Sequence, residues 1–353
     1  AYVDKMKVLL SANELPDLVY TGGYNLLDPA LERNAVIDLT PYLDADPEWK
    51  AMFDEQDLEF NSRDGKIYSL PEEKQIIGYY YNKALFKKAN INEPPKTWDE
   101  FLEDCEKLKA AGIVPLSMDT ADSGWLTSLW LNSIIGTSGE AGNKFMNTSN
   151  ILDYNTPEFI NAVDKIQKMF QEYTTSDAIG GKYENGANNF FSGETAMIAN
   201  GPWMIGDLQS SDKVSKEMLD NIGMSIYPEQ GVFDAPMLGY FVTAKDKERQ
   251  EATVEFLKYL TSKETQLRSL EMMGRIPTTP NIEISDEIAK KHPLIIELIN
   301  ASKDAKYKYN DYQSLWYPNV LDGLSTNYPS LATGNMTPQE FAKALTEIAA
   351  KNK

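Results

Sequence analysis

Cysteine and histidine are almost missing from this 353-residue chain: Cys105 and His292 are the sole examples. A single cysteine excludes an intrachain disulfide, a CxxC redox pair and a thiolate metal cluster. A single histidine excludes HExxH and multi-histidine metal sites. A Ser-His-Asp or Cys-His arrangement survives only with His292 as its base, since geometry and not composition makes a triad. His292 stands in Lys290-Lys291-His292-Pro293, a charged turn ahead of proline, and reads as solvated surface. Basic charge is also scarce, 34 Lys and Arg against 53 Asp and Glu, for a net charge of −19. Such a surface repels phosphate backbones and anionic headgroups, so no nucleic acid or membrane-surface partner is expected. No apolar run reaches the roughly 18 residues of a membrane span. The start, Ala1-Tyr2-Val3-Asp4-Lys5, lacks the basic-then-apolar order of a signal peptide, so an export signal is expected to have been removed or never to have existed.

What is present is ordinary for a soluble globular protein: 42% hydrophobic and 25% charged residues. At roughly 150 residues per domain the length suggests about two domains. Helical and strand patterns alternate throughout, which predicts an α/β protein with mainly parallel sheets. Thr97-Trp98-Asp99-Glu100 is a capping box, and Phe101, Leu102, Cys105 and Leu108 follow on one face until Gly112. Cys105 therefore reads as a small buried hydrophobe. Thr156-Pro157 and Thr337-Pro338-Gln339-Glu340 repeat the start signal, the first ahead of a stripe of Phe159, Ile160, Val163, Ile166 and Phe170. A further helix from about Arg249 is expected to bury Val254, Phe256, Leu257 and Leu260, and another runs from Ser262 to Gly274. Strands are predicted near Asp17–Tyr20, Ile76–Tyr81, Thr195–Ala199 and Gly239–Ala244.

The motifs of nucleotide, serine-hydrolase and EF-hand chemistry are absent: no GxGxxG after a strand, no GxxxxGK[ST], no GxSxG, no calcium loop. Asp119 and Asp122, in Asp119-Thr120-Ala121-Asp122, read as solvated carboxylates before they read as a cation site. No metal or cofactor is expected. The large aromatics stand out by position. Trp203 follows Asn200-Gly201-Pro202, Trp125 follows Ser123-Gly124, Tyr24 follows Gly22-Gly23, and Trp316-Tyr317 precedes Pro318. Aromatics in Gly/Pro turns suit the flat C–H faces of sugars, with amides and carboxylates bridging the hydroxyls. They equally suit the ends of two hydrophobic cores.

A series of short motifs in order makes the chain resemble a known family. It begins with Leu15-Pro16-Asp17-Leu18-Val19 and Val36-Ile37-Asp38-Leu39-Thr40-Pro41-Tyr42-Leu43. Asp64-Gly65-Lys66-Ile67-Tyr68-Ser69-Leu70-Pro71 and Tyr80-Tyr81-Asn82-Lys83-Ala84-Leu85-Phe86 come next. Pro95-Lys96-Thr97-Trp98-Asp99-Glu100-Phe101, Phe191-Ser192-Gly193-Glu194-Thr195-Ala196-Met197 and Asn200-Gly201-Pro202-Trp203 complete the pattern. Together they resemble the extracellular solute-binding proteins of ABC sugar importers, the maltodextrin-binding protein group.

The resemblance implies a two-lobed α/β periplasmic-binding-protein fold (type II) whose lobes close about a hinge over a sugar. It places lobe I at residues 1–113 plus 243–285 and lobe II at 114–242 plus 286–353, with hinge crossings near 113–117 and 238–243. Lobe I would then lack the family's N-terminal strand-helix-strand. The implied ligand contacts are Trp203, Gln75, Trp125, Trp316, Tyr317, Tyr24, Gly23, Tyr240 and Asp119. The implied partners are a mono- or oligosaccharide and the transmembrane subunits of an ABC permease, with the protein itself a monomer. The implied location is extracytoplasmic, either periplasmic or as a cell-surface lipoprotein. The alternative of another class is a glycoside-acting enzyme with paired carboxylates.

Overall fold

The structure is a computed structural model that describes residues 2–21 and 25–352. The chain forms two compact units, Ala1–Gln75 with Ala235–Pro293, and Ile76–Asp234 with Leu294–Lys353. Among the described residues no helix is long and apolar enough to cross a membrane.

In the first unit three short strands pair antiparallel in the order Leu18–Tyr20, Tyr240–Val242, Ser69–Leu70. Strand alternation divides their side chains between two cores. Val19 and Phe241 pack with Met6, Leu26, Leu27 and Ala30. Leu70 and Val242 pack with Leu39, Leu43, Trp49, Phe53, Val254 and Leu257. Trp49 keeps its indole N–H satisfied by donating to Thr261 Oγ1 at 2.9 Å. The Lys247–Leu260 helix covers this second core with Val254 and Leu257 only. Phe256, expected inside, is 53% exposed and lies beside Tyr259, because the buried stripe is narrower than the apolar pattern.

In the second unit a mixed six-stranded sheet runs in the order Tyr307–Tyr309, Gly231–Ala235, Gln75–Asn82, Thr195–Asn200, Val114–Ser117, with Ile222–Ser225 also on Gln75–Asn82. The Trp125–Gly136 helix is buried nearly all round, its leucines, isoleucines and Trp130 together with the small polar Thr127, Ser128, Asn132 and Ser133. Pro157–Glu172 is capped by Thr156 and buries Phe159, Val163, Ile166 and Phe170, with Ile160 half-buried at the margin. Cys105 is fully buried in Trp98–Ala110. Thr97 caps that helix through the Glu100 amide at 3.1 Å, but Glu100 accepts from the Lys96 amide and not from Thr97 as a capping box would have it. Thr337 and Glu340 do form the reciprocal box.

The unit boundaries differ from those expected, and strand pairing explains it. Residues 76–113 do not belong with the first unit, because Gln75–Asn82 pairs with Thr195–Asn200 and Ile222–Ser225. Tyr240–Val242 leaves the second unit for the first by pairing with Leu18–Tyr20 and Ser69–Leu70. The chain changes unit after Gln75, Asp234 and Pro293. His292 is also corrected: it is buried, and its Nε2 donates to the Glu271 carbonyl at 2.7 Å, so it caps a helix instead of meeting solvent.

Gly78 sits mid-strand where a Cβ would lie 2.1 Å from the Ser225 carbonyl oxygen, backbone that a side chain cannot push aside cheaply. Gly78→Ala is expected to cost about 1–3 kcal/mol, read as an earlier midpoint in urea unfolding; an unchanged midpoint would show that the neighbouring strand yields.

Candidate functional site

Two groups of residues gather the expected ligand contacts, one in each unit. The group in the second unit is built on the turn after Thr195–Asn200. Asn200 Oδ1 accepts from the Gly201 amide at 2.9 Å, and the Gly201 carbonyl accepts from the Tyr80 hydroxyl at 3.0 Å, so this peptide is fixed on both sides. Asn200 Nδ2 donates to the Tyr183 hydroxyl at 2.9 Å. Pro202 opens the following short helical turn and presents Trp203, which is 46% exposed. The indole lies back over Gly201, where a Cβ would come within 2.3 Å of the ring.

Trp125 begins the Trp125–Gly136 helix after Gly124, whose φ of 56° turns the chain into it. Asp119 anchors that helix start: its Oδ1 accepts from the Thr127 amide at 3.2 Å, and Thr127 Oγ1 donates to the Asp119 carbonyl at 2.6 Å. Trp125 stands 6.3 Å from Trp203 and 6.0 Å from Tyr312, the latter nearly parallel at 29°. Trp203, Trp125 and Tyr312 thus form a row that grades from exposed through half-buried to buried.

Trp316 does not join the row as an open face. It is 3% exposed and packed among Phe145, Tyr154, Phe159 and Tyr312. Its place is behind Tyr312. Tyr317 is half-buried at the cap of Pro318–Ala332, where its carbonyl accepts from the Val320 amide at 2.9 Å. Asp119 is buried, where a solvated loop was expected, while Asp122 is exposed and lies 3.5 Å from Lys182. Among the described residues no group of three or more His, Cys, Asp or Glu is placed to hold a metal ion.

The group in the first unit lies where the Leu18–Tyr20 strand ends and the antiparallel Tyr240–Val242 strand begins, with Tyr20 and Tyr240 in register. Their rings are 5.0 Å apart. The Tyr240 hydroxyl donates to Glu72 Oε2 at 2.6 Å, and Arg275 Nη1 donates to Glu72 Oε1. Arg275 Nε is 4.0 Å from Glu73 Oε2. Burial pushes the Glu73 carboxyl up to about 7, opposed by Arg275 and reinforced by Glu72. Gln75, two residues on, is half-buried at the start of its strand. Lys74 between them bonds backbone to Ile276 and pairs with Asp54 at 2.7 Å. Gly23 and Tyr24 lie outside the described residues.

Tyr312, Glu72, Glu73 and Arg275 are the members sequence reasoning missed. Tyr312 stands four residues before Trp316, in a segment already singled out for its aromatics. Glu72 and Glu73 follow the quoted Leu70-Pro71, and Arg275 follows the left-handed Gly274 that ends its helix. Nothing local links these positions.

Residues 1–295 match the family described as bacterial extracellular solute-binding protein. The chain belongs to that family. Of curated relatives, the sn-glycerol-3-phosphate-binding periplasmic protein UgpB of Brucella melitensis is 27% identical over 231 residues, covering 62% of this chain and 51% of that one. UgpB of Yersinia enterocolitica is 26% identical over 232 residues, covering 62% and 50%. The chain spans about half the length of the curated relatives it matches. Among solved structures, a chitin oligosaccharide binding protein superposes with a TM-score of 0.83 at 24% identity, covering 98% of this chain and 86% of that one. A Streptococcus pneumoniae solute-binding protein in complex with the blood group A-trisaccharide follows at 0.81 and 24%, covering 98% and 87%. These likenesses establish the fold as that of the two-lobed, type II solute-binding proteins.

The Asp119 carboxyl is raised to about 7 by burial, against the amides of Thr127, Leu126 and Trp125, which favour its anion. The folded protein therefore holds this proton where the unfolded chain, near 3.8, has released it. Stability from this group falls as pH rises from about 4 to about 7 and is level above. Relative to Asp119→Asn, the wild type is expected to lose on the order of 1–3 kcal/mol across that window, followed by chemical unfolding at stepped pH; parallel curves for the two proteins would contradict it.

Proposed function

We propose that this solute-binding protein captures a mono- or oligosaccharide and delivers it to the transmembrane subunits of an ABC importer, acting outside the cytoplasm as a monomeric receptor that leaves its ligand chemically unchanged. The Trp203–Trp125–Tyr312 row carries the reading. An indole 46% exposed in a polar protein, supported from beneath by its own backbone and flanked by a second indole, offers an apolar face the size of a pyranose ring. Apolar stacking holds the ring without regard to hydroxyl stereochemistry, which is read by hydrogen-bonding groups. A ligand that binds one conformation of the protein better than another shifts the population toward it. Delivery then depends on a permease that distinguishes the loaded state.

The sugar-bound state of the S. pneumoniae relative supports a saccharide. The UgpB relatives, named for glycerol 3-phosphate, support a phosphorylated polyol instead. The aromatic row favours the former, because a three-carbon phosphate has little apolar face to stack. Calorimetric titration with uncharged di- and trisaccharides is expected to show one binding site per chain. Trp203→Ala should weaken it about tenfold or more, the scale of losing a well-packed aromatic anchor. Affinity unmoved by that change would remove the row from the site, and release of product from any titrated oligosaccharide would replace receptor with enzyme.

A further inference from the structure

The end of the first unit's sheet away from Tyr20 and Tyr240 carries a cleft of its own. Leu18 and Val242 stand in register, and beyond that pair Leu15 and residues 243–245 border a cavity of about 600 Å³. Residues 33–37 form its other wall, and Leu10 and Asn13 close it at the end of the Tyr2–Ala12 helix. All of these positions belong to the first unit. The volume lies in the range of small-molecule sites.

The walls are fixed by bonds made on either side of the cavity. Asn13 and Asn34 take left-handed conformations, with φ of 58° and 53°, as the two helices before them end. The Asn13 carbonyl accepts from Lys245 Nζ at 2.9 Å, and the Ile37 amide donates to the Val242 carbonyl at 3.0 Å. Gln250 Nε2 donates to the Ala244 carbonyl at 2.9 Å. A cavity held in this way needs little ordering when it binds.

The lining divides into two chemistries. Leu10, Leu15, Val36 and Ile37 are half-buried, packed inward on the two cores and left with apolar surface at the cavity. Beside them stand two cations, Arg33 and Lys245, and no Asp or Glu lines the cavity among the described residues. The chain as a whole has 53 acidic residues against 34 basic, so a lining of cations alone runs against its balance. Lys245 spends one N–H on Asn13. The exposed Arg33 side chain makes no hydrogen bond or ion pair among the described residues. Nearby carboxylates are committed elsewhere: Asp17 pairs with Arg249 at 2.6 Å, and Asp246 accepts from the Arg249 amide at 3.0 Å. A guanidinium presents its donors as a fork that matches a carboxylate or phosphate, and an apolar floor beside it keeps water from the pair.

We propose that this cleft is a second binding site, for an organic anion that carries a carboxylate or phosphate head on a short aliphatic body. Arg33 and Lys245 hold the head, and the body lies on Leu10, Leu15, Val36 and Ile37. The site is independent of the saccharide reading, since none of these residues is among the proposed sugar contacts.

The test is calorimetric titration of the full chain with hexanoate and monohexyl phosphate, and with acetate and 1-hexanol as the head and the body alone. Wild type, Arg33→Gln, Arg268→Gln and Trp203→Ala are compared. Arg268 is an exposed cation of the Lys263–Met273 helix that does not line the cavity, so its loss changes net charge equally. Hexanoate, monohexyl phosphate or both are expected to bind at one site, with acetate and 1-hexanol about tenfold weaker or more. Binding by only one of the two anions supports the site and assigns its head group. Arg33→Gln should weaken the bound anion about tenfold or more, while Arg268→Gln and Trp203→Ala leave it unchanged. Thermal melts accompany each variant, and Arg33, exposed and without bonds, is the change least able to disturb folding. Unchanged affinity in Arg33→Gln overturns the proposal, as does an equal loss in Arg268→Gln, which would show a response to net charge alone. A loss in Trp203→Ala would move the anion to the aromatic row and overturn it too. So would 1-hexanol binding as tightly as hexanoate, or neither anion giving heat or raising the melting temperature. The saccharide reading stands or falls separately, on its own titrations.

Discussion

The strand Gln75–Asn82 carries hydrogen-bonded partners on both flanks, and its two fully buried tyrosines, Tyr79 and Tyr80, point to opposite faces of the sheet. On one face Tyr79 packs against Trp130 and Tyr227 at 5.4 and 5.9 Å, the centre of an aromatic core that also takes in Phe101 and Trp98. On the other, the Tyr80 hydroxyl reaches the Gly201 carbonyl and fixes the turn that presents Trp203. One strand therefore holds both the stability of the second unit and the aim of its most exposed indole. Gly78 is what permits the close approach of Ser225 that this arrangement requires.

Around this apolar frame, the carboxyl groups near the two residue groups are held in unlike ways. Asp119 is buried and its oxygen is used on helix amides, so it orients Trp125 from behind and is closed to solvent. Glu73 is only partly covered, and its Oε2 faces Arg275 Nε at 4.0 Å. The first is held by amide hydrogen bonds and the second faces the Arg275 guanidinium, yet burial raises both to about 7. A perturbed carboxyl alone says that water is kept away; its partners say what the group is for.

Much of the local structure was legible in the sequence because its causes are local. Thr97, Thr156 and Thr337 cap the helices they precede, and Cys105 sits on the buried face its spacing assigned. Trp203 emerges from its Gly-Pro turn as expected. What failed depends on residues far apart in the chain. The unit boundaries follow strand register, which no hydropathy pattern displays. His292 and Trp316 are buried by elements that the composition of their own turns does not reveal. The Glu72–Arg275 pair joins positions 203 apart in the chain, beyond any motif. The family resemblance singled out Gln75 and Tyr240, and Glu72, Glu73 and Arg275, which bond or pair beside them, lay between the quoted motifs.

The indole of Trp203 rests on Gly201 so closely that no other residue fits beneath it. Such a ring has a floor and therefore one working side. It can host a single stacked partner, never a sandwich, and the approach direction is set by the backbone before any ligand arrives. Position 201 thus acts as a latch on the ring: any side chain placed there would tip the indole upright and turn its flat surface edge-on. A change that alters neither charge nor hydropathy would be enough to take that flat face away.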